Sequence, residues 1–179
     1  MTEHRSPRGL TRRELLKSGV AAGASFVVGA GFLAHATEAW ALETAALSPQ
    51  AVATLIQMAR DIYPHDRIAD KFYAVAIKGH DAKAAANAAY KALLEDGIAD
   101  LDARAARAGH GSYLGAGWEF ERVAILREIE ATPFFQALRG DLVVSLYNQK
   151  EVWPHFGYEG SSAEFGGYLE RGFNDIAWL

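Results

Sequence analysis

The chain has 179 residues, with 18 basic and 22 acidic side chains and no cysteine. This negative balance argues against nucleic acid or an anionic membrane surface as the partner, because both reward clustered Lys and Arg. The absence of cysteine excludes disulfides, thiol nucleophiles, thiolate-ligated iron–sulfur clusters and covalently attached haem c.

The N-terminal segment has the pattern of a twin-arginine export signal. Arg12 and Arg13 lie in a basic stretch, and an uncharged segment rich in Gly and Ala follows from residue 18 to 37. Ala39 and Ala41 then supply the small-x-small pattern that signal peptidase requires, so we predict cleavage after Ala41. Because this pathway moves proteins already folded in the cytoplasm, we expect a folded periplasmic protein.

An uncleaved membrane anchor is the alternative for this segment, because residues 18–37 are about long enough to span a bilayer. The segment is only weakly hydrophobic, however, with four glycines and many alanines. Anchors depend on Leu, Ile and Phe, so we favour a signal peptide over residues 1–41 and one domain over residues 42–179. Of the charged residues, five basic and three acidic ones lie in the signal, which leaves 13 basic and 19 acidic residues in the domain.

Helical patterns fill the domain up to about residue 150. Ser48-Pro49 and Thr132-Pro133 each combine a hydroxyl N-cap with proline at the first helical position. Apolar residues then recur at helical spacing. We predict a mainly α-helical domain of about five helices, which begin at 49, cover 68–78, 81–108 and 118–131, and begin again at 133.

Glycines are expected to shape the connections between these helices. Gly79 is predicted to stop the second helix, and Gly97 to bend or divide the third. Four glycines between residues 109 and 117 predict a turn-rich loop. On their buried faces, the fourth and fifth helices are predicted to carry Trp118, Ile125, Leu126 and Ile129, and Phe135, Leu138, Leu142, Val143 and Leu146, respectively.

The C-terminal segment, residues 151–179, sustains no helical or alternating period and is predicted to be a long irregular tail. Such a segment is either a cap over the domain's own core or a protein interface, since aromatic residues serve both purposes. Both interpretations stay open at this point. The candidate interface residues are its seven aromatics: Trp153, Phe156, Tyr158, Phe165, Tyr168, Phe173 and Trp178.

The domain shows no pattern typical of a catalytic or cofactor site. Its four histidines have no zinc-ligand spacing, and His65 is expected to cap the carbonyls at the end of the first helix. Its paired carboxylates stand two residues apart, which places them on different helix faces. Its glycine-rich segments lack the strand–helix setting of a nucleotide-binding loop. We therefore predict no catalytic residue, no metal and no cofactor bound by this chain.

Several motifs resemble one known family, the gluconate 2-dehydrogenase subunit 3 family. They are Pro64-His65-Asp66, Phe134-Phe135-x-x-Leu138-Arg139, Trp153-x-x-Phe156-Gly157-Tyr158-Glu159-Gly160-Ser161, Gly166-Gly167-Tyr168 and Gly172-Phe173-Asn174-Asp175-Ile176-x-Trp178-Leu179. The resemblance covers most of the domain, and the tail is its most specific part.

The resemblance implies a non-catalytic small subunit of a periplasmic sugar or alcohol dehydrogenase. The usual partner is a flavoprotein of the glucose–methanol–choline type, which binds FAD, often together with a haem c subunit. The small subunit helps the flavoprotein mature and accompanies it through the twin-arginine translocase. The alternative is a free-standing periplasmic helical enzyme or ligand-binding domain with a pocket lined by groups such as His65, His110 or Glu159.

Overall fold

In the computed structural model, which describes residues 44–169, the chain forms five α-helices and two short 3-10 helices. The α-helices are α1 (Pro49–Ile62), α2 (Asp70–Ala86), α3 (Ala88–Arg107), α4 (Glu119–Glu128) and α5 (Pro133–Ser145). The 3-10 helices are Trp153–Phe156 and Ser162–Phe165. Residues 44–169 contain no strand, which confirms the prediction of a mainly α-helical domain of about five helices.

Some predicted features lie outside the described residues. These are the twin arginines Arg12 and Arg13, the cleavage-site residues Ala39 and Ala41, and the last two tail aromatics, Phe173 and Trp178. Within residues 44–169, no helix has both the length and the apolar character needed to cross a membrane.

The two predicted Ser/Thr-Pro helix starts are confirmed. The Ala51 N–H donates to Ser48 Oγ at 3.1 Å, and the Phe135 N–H donates to Thr132 Oγ1 at 3.3 Å. In each case a side chain satisfies a backbone donor that the first helical turn leaves without a partner. These caps fix where α1 and α5 begin.

The expectation that Gly79 stops the second helix is wrong. The helix α2 continues through Gly79 to Ala86, and it ends at Asn87 instead. Asn87 has an extended backbone, and its side chain accepts a hydrogen bond from the Tyr90 N–H at 3.0 Å, which starts α3. A glycine inside a helix costs only about 1 kcal/mol relative to alanine, and the alanines around Gly79 offset that cost.

Gly97 does not divide α3, which runs unbroken from Ala88 to Arg107. It lies inside α3 against α5, and a Cβ built on Gly97 would clash with the Phe134 ring. The glycine therefore permits helix packing rather than a break. Phe134 itself is buried in the core.

Two residues expected on buried faces are exposed. Trp118 precedes α4, which is shorter than predicted, and its side chain is 68% exposed. Val143 on α5 is 53% exposed. The other predicted positions in these two helices are buried, and they join one core that includes Leu55, Met58, Tyr73, Ile77, Leu94, Leu101, Ile125, Leu126, Ile129, Phe135, Leu138, Leu142 and Leu146.

A buried carboxylate ties the start of the described chain to α2. The side chain of Asp81 accepts hydrogen bonds from three consecutive backbone N–H groups, those of Ala45, Ala46 and Leu47. We call residues 44–48 the N-terminal arm. Burial opposes the charge of Asp81, but the three donors outweigh it and hold the pKa of this carboxyl below its usual value.

Candidate partner-docking surface

The tail begins with two residues that anchor it to the helical core. Val152 is fully buried. The next residue, Trp153, is partly buried, and its Nε1–H donates to the Tyr147 carbonyl oxygen at 2.9 Å. An apolar contact and a satisfied indole donor together fix the position at which the tail leaves the bundle.

A group of four rings joins the tail to the end of α1. This aromatic cluster consists of Tyr63, His65, Tyr147 and Phe156, with ring centroids 5.2 to 5.7 Å apart in edge-to-face arrangements. His65 Nε2 also lies 2.6 Å from the Tyr147 hydroxyl oxygen, a hydrogen bond between the two side chains. Such geometries stabilise aromatic pairs beyond their buried area.

The histidine of this cluster has a depressed basicity. Burial lowers the pKa of His65, and the nearby Arg60 guanidinium lowers it further, although Asp66 opposes both. At neutral pH the ring is therefore uncharged and suited to packing among aromatic rings. The expectation that His65 caps the carbonyls of α1 is not met, because its side chain contacts Tyr147 and Phe156 instead.

Glycines turn the tail back over its own rings. Gly157 has φ +70° and Gly160 has φ +105°, both in the left-handed region that favours glycine. Tyr158 packs edge-to-face on Trp153 with centroids 5.1 Å apart. A Cβ on Gly160 would lie 3.4 Å from both the Phe165 ring and the Trp153 ring. The rings of the tail thus cluster around Gly160.

Most of the apolar side chains in the described tail face outward. Phe156, Tyr158 and Phe165 are each about half exposed, and Tyr168 and Leu169 are more exposed still, at 65% and 88%. We call these five side chains the tail surface. Of the two interpretations of the tail, the core-covering one applies to Val152 and Trp153, whereas the exposed side chains favour an interface.

Apart from the aromatic cluster, a buried polar centre lies where α1, α4 and the loop between α3 and α4 meet. The sequence did not reveal it. Asp61 is buried, and both of its carboxylate oxygens accept hydrogen bonds from Arg122, at 2.7 and 3.0 Å. Tyr113 donates its hydroxyl at 2.6 Å, and Gln57 donates its amide at 3.0 Å. We call this group the Asp61 network.

The Asp61 network is a closed structural centre. Arg122 also donates to the Ala116 carbonyl oxygen at 3.0 Å, which fastens the loop to α4. Burial and the adjacent Asp61 carboxylate raise the pKa of Tyr113 far above its usual range, so the phenol stays protonated and donates. Because each oxygen of Asp61 is occupied, the network holds the loop in place.

His80 and His110 contact separate partners. His80 is buried, with Nδ1 2.6 Å from the Tyr90 hydroxyl oxygen, and its Nε2 lies 3.1 Å from an Asp141 oxygen without hydrogen-bond alignment. His110 Nε2 lies 4.0 Å from Glu121 Oε1. Among residues 44–169, no group of three or more His, Asp or Glu side chains is arranged to hold a metal ion.

Three carboxylates from the pairs Asp100/Asp102 and Glu128/Glu130 accept hydrogen bonds. Asp100 and Glu128 accept hydrogen bonds from Arg104 on the outside of the bundle, both at 2.8 Å. Asp102 accepts from the Tyr113 backbone N–H at 2.8 Å and so supports the loop between α3 and α4. These contacts are structural, since each carboxylate stabilises a neighbouring cation or backbone donor.

Comparisons of the chain with known protein families, curated proteins and solved structures gave no significant match. The resemblance drawn from the tail motifs therefore remains a prediction from the sequence. Any functional assignment must rest on that prediction together with the geometry of the tail surface.

Proposed function

We propose that this chain is a non-catalytic small subunit of an exported flavin-dependent sugar or alcohol dehydrogenase complex. Its partner is a flavoprotein of the glucose–methanol–choline type that binds FAD. The small subunit assists the maturation of that flavoprotein and its twin-arginine export in the folded state. The observation that carries this proposal is the exposed tail surface.

The tail surface has the chemistry of a protein interface. Four aromatic side chains and Leu169 project from a segment whose glycines leave the backbone accessible: nothing lies within 4 Å of a Cβ built on Gly157, Gly166 or Gly167. Aromatic residues are enriched at the centres of interfaces and supply much of the binding free energy. An exposed apolar patch on a soluble protein is typical of a docking site.

The anchoring of the tail favours tight association. Trp153 is held by Tyr147, and Phe156 packs in the aromatic cluster. A surface that is already ordered before binding loses less conformational entropy when it binds. These contacts support a preformed docking surface on the described part of the tail.

The export signal fits the same proposal. A folded-export route is most useful when a cofactor must be inserted before transport, yet the domain's sequence contains no motif typical of a cofactor site. Arg12 and Arg13 would therefore serve the partner as well as this chain. The flavoprotein, loaded with FAD, would cross with the small subunit and would need no signal of its own.

The proposal is tested by co-expression of this chain with the gene of the proposed flavoprotein partner. We expect periplasmic dehydrogenase activity and bound flavin with the wild-type chain, and loss of both when the chain is deleted. The double variant Arg12→Lys/Arg13→Lys should leave both proteins in the cytoplasm. The matched control Arg5→Lys/Arg8→Lys, which changes basic residues outside the pair, should export normally.

The decisive measurements are the flavin content and the location of the flavoprotein. Unchanged periplasmic activity without this chain would refute the subunit role. If the flavoprotein reached the periplasm while the Arg12→Lys/Arg13→Lys chain stayed in the cytoplasm, the carrier role would be refuted. The association of the two proteins would not be refuted by this result.

A further inference from the structure

The aromatic cluster contains one side chain that changes its charge near neutral pH. This side chain is His65, which lies between α1 and α2, whereas Phe156 belongs to the tail. Their ring centroids are 5.2 Å apart, with an angle of 76° between the ring planes. The other two rings, Tyr63 and Tyr147, are phenols that stay uncharged below about pH 10. The tail is therefore tied to the end of α1 through a contact with a titratable group.

The hydrogen bond that His65 makes depends on its protonation state. Its Nε2 lies 2.6 Å from the Tyr147 hydroxyl oxygen. An Nε2 without a proton can accept the hydroxyl proton of Tyr147. In an imidazolium both ring nitrogens are donors, so the hydroxyl must act as the acceptor and its own proton loses this partner. Protonation therefore removes the arrangement in which Tyr147 donates to His65.

The surroundings of His65 disfavour a positive charge on its ring. Burial and then the Arg60 guanidinium lower the pKa of His65, and Asp66 opposes them. Tyr73, on α2, has a pKa raised to about 12 and brings no charge at neutral pH. From the tail, the ring in contact with His65 is the apolar side chain of Phe156. The neutral imidazole is thus the form that suits this packing.

We propose that His65 is a pH-sensitive latch for the tail, which holds Phe156 against the end of α1 while the imidazole is neutral and releases it when the imidazole is protonated. Because burial lowers the pKa in the latched state, the contact is favoured above pH 6.5 and weakens as the pH falls below that value. The latch is a property of this chain alone. Its consequence for docking rests on the proposed function: because Phe156 belongs to the tail surface, the flavoprotein should bind more weakly in acid.

Reciprocity makes the latch measurable without a partner protein. If protonation of His65 weakens its contact with Phe156, loss of the Phe156 ring favours protonation by the same factor. An NMR titration of the His65 Cε1–H resonance, assigned by its absence in His65→Asn, gives the pKa in each variant. We expect Phe156→Ala to raise this pKa toward 6.5, and each unit of the shift is a tenfold change in the contact equilibrium. The control Phe120→Ala removes a ring that is 70% exposed at the start of α4 and should leave the pKa unchanged.

Amide hydrogen exchange measures the release of the tail itself. The Gly157 and Tyr158 N–H groups donate to the Pro154 and Trp153 carbonyl oxygens at 3.3 and 3.1 Å. Their exchange rates, divided by the rates of an unfolded chain at the same pH, report how often this segment opens. We expect their protection to fall in the wild-type chain from about pH 7.5 to about pH 5.5, and to stay constant in His65→Asn.

Three results would overturn the latch. An unchanged pKa of His65 in Phe156→Ala would show that the ring and the charge are not coupled. A lowered pKa would show that the imidazolium is attracted to the ring by a cation–π interaction, which has the opposite sign. A pH-dependent loss of protection that persists in His65→Asn would assign the effect to another group.

These results are independent of the proposed function, because neither experiment contains the flavoprotein. Absence of flavoprotein binding at every pH would refute the proposed function and leave the latch standing. Melting curves of each variant serve as the folding control. Since Phe156 is 48% exposed, we expect Phe156→Ala to remain folded.

Discussion

Replacement of Arg122 by alanine tests the Asp61 network most sharply. The Asp61 side chain is 2% exposed, and Arg122 is its only cationic contact among the described ion pairs. Loss of one partner from a buried ion pair leaves an uncompensated charge and costs about 3–5 kcal/mol. A domain of this size has a total unfolding free energy of about 5–15 kcal/mol. Arg122→Ala should therefore remove a large part of the stability.

The assay is equilibrium urea unfolding at pH 7. The matched control is Arg104→Ala, which breaks ion pairs on the solvent-exposed side of the bundle and should destabilise much less. The double variant Asp61→Leu/Arg122→Met should be more stable than Arg122→Ala alone, because no buried charge is left behind. Equal losses for Arg122→Ala and Arg104→Ala would refute the reasoning.

Three further predictions concern stability. Burial lowers the pKa of His80 below 6.5, with Asp141 opposing, so the unfolded state takes up the proton first, and stability should be full above pH 6.5 and fall as the pH drops below it. In melting curves over a pH series, the melting temperature should depend less on pH for His80→Asn than for the wild type, and an identical pH dependence would contradict this. Gly97→Ala should destabilise by about 1–3 kcal/mol because its Cβ would meet the Phe134 ring, while Gly79→Ala, with nothing nearby, should stabilise by about 0.5–1 kcal/mol; a gain at both positions in urea unfolding would disprove the close approach. Asp81→Asn should lower the free energy of unfolding by about 1–3 kcal/mol at pH 7, because the N-terminal arm loses its charged acceptor. This difference from wild type should shrink as the pH falls below 3.8, because a carboxyl with a lowered pKa stabilises the fold only while it is ionised.

Features set by neighbouring residues could be predicted from the sequence. The Ser48 and Thr132 caps depend on a side chain and a backbone N–H three residues away, so a local pattern identifies them. The helical content follows from apolar spacing in the same way. In the described part of the tail, residues 151–169, four glycines adopt the left-handed conformation that favours this residue.

Features set by residues far apart in the chain could not be predicted from the sequence. Asp61 and Arg122 are 61 positions apart, and no pattern along the chain indicates that they meet. The sequence does place a charge on the apolar face of α1, which is a signal for a buried partner but does not name it. From the sequence alone, Gly97 is expected to interrupt a helix, because nothing near it in the chain indicates that the distant Phe134 ring packs on it.

The exposure of the aromatic residues has the same origin. Trp118 follows an apolar helical pattern in sequence, but the loop held by Tyr113 and Ala116 places it before α4 and outside the core. In the tail, Trp153 and Phe165 are both aromatic, yet only contacts with the rest of the chain determine which ring is partly covered. Composition predicts an aromatic segment but not its exposed face.

The central claim is that the tail surface binds a flavoprotein subunit, and a direct titration tests it best. The purified chain should bind the purified flavoprotein proposed as its partner in isothermal titration calorimetry. The Phe156→Ser/Phe165→Ser variant should bind at least about tenfold more weakly, with helical content unchanged by circular dichroism. Equal affinity of the wild-type chain and this correctly folded variant would contradict the account.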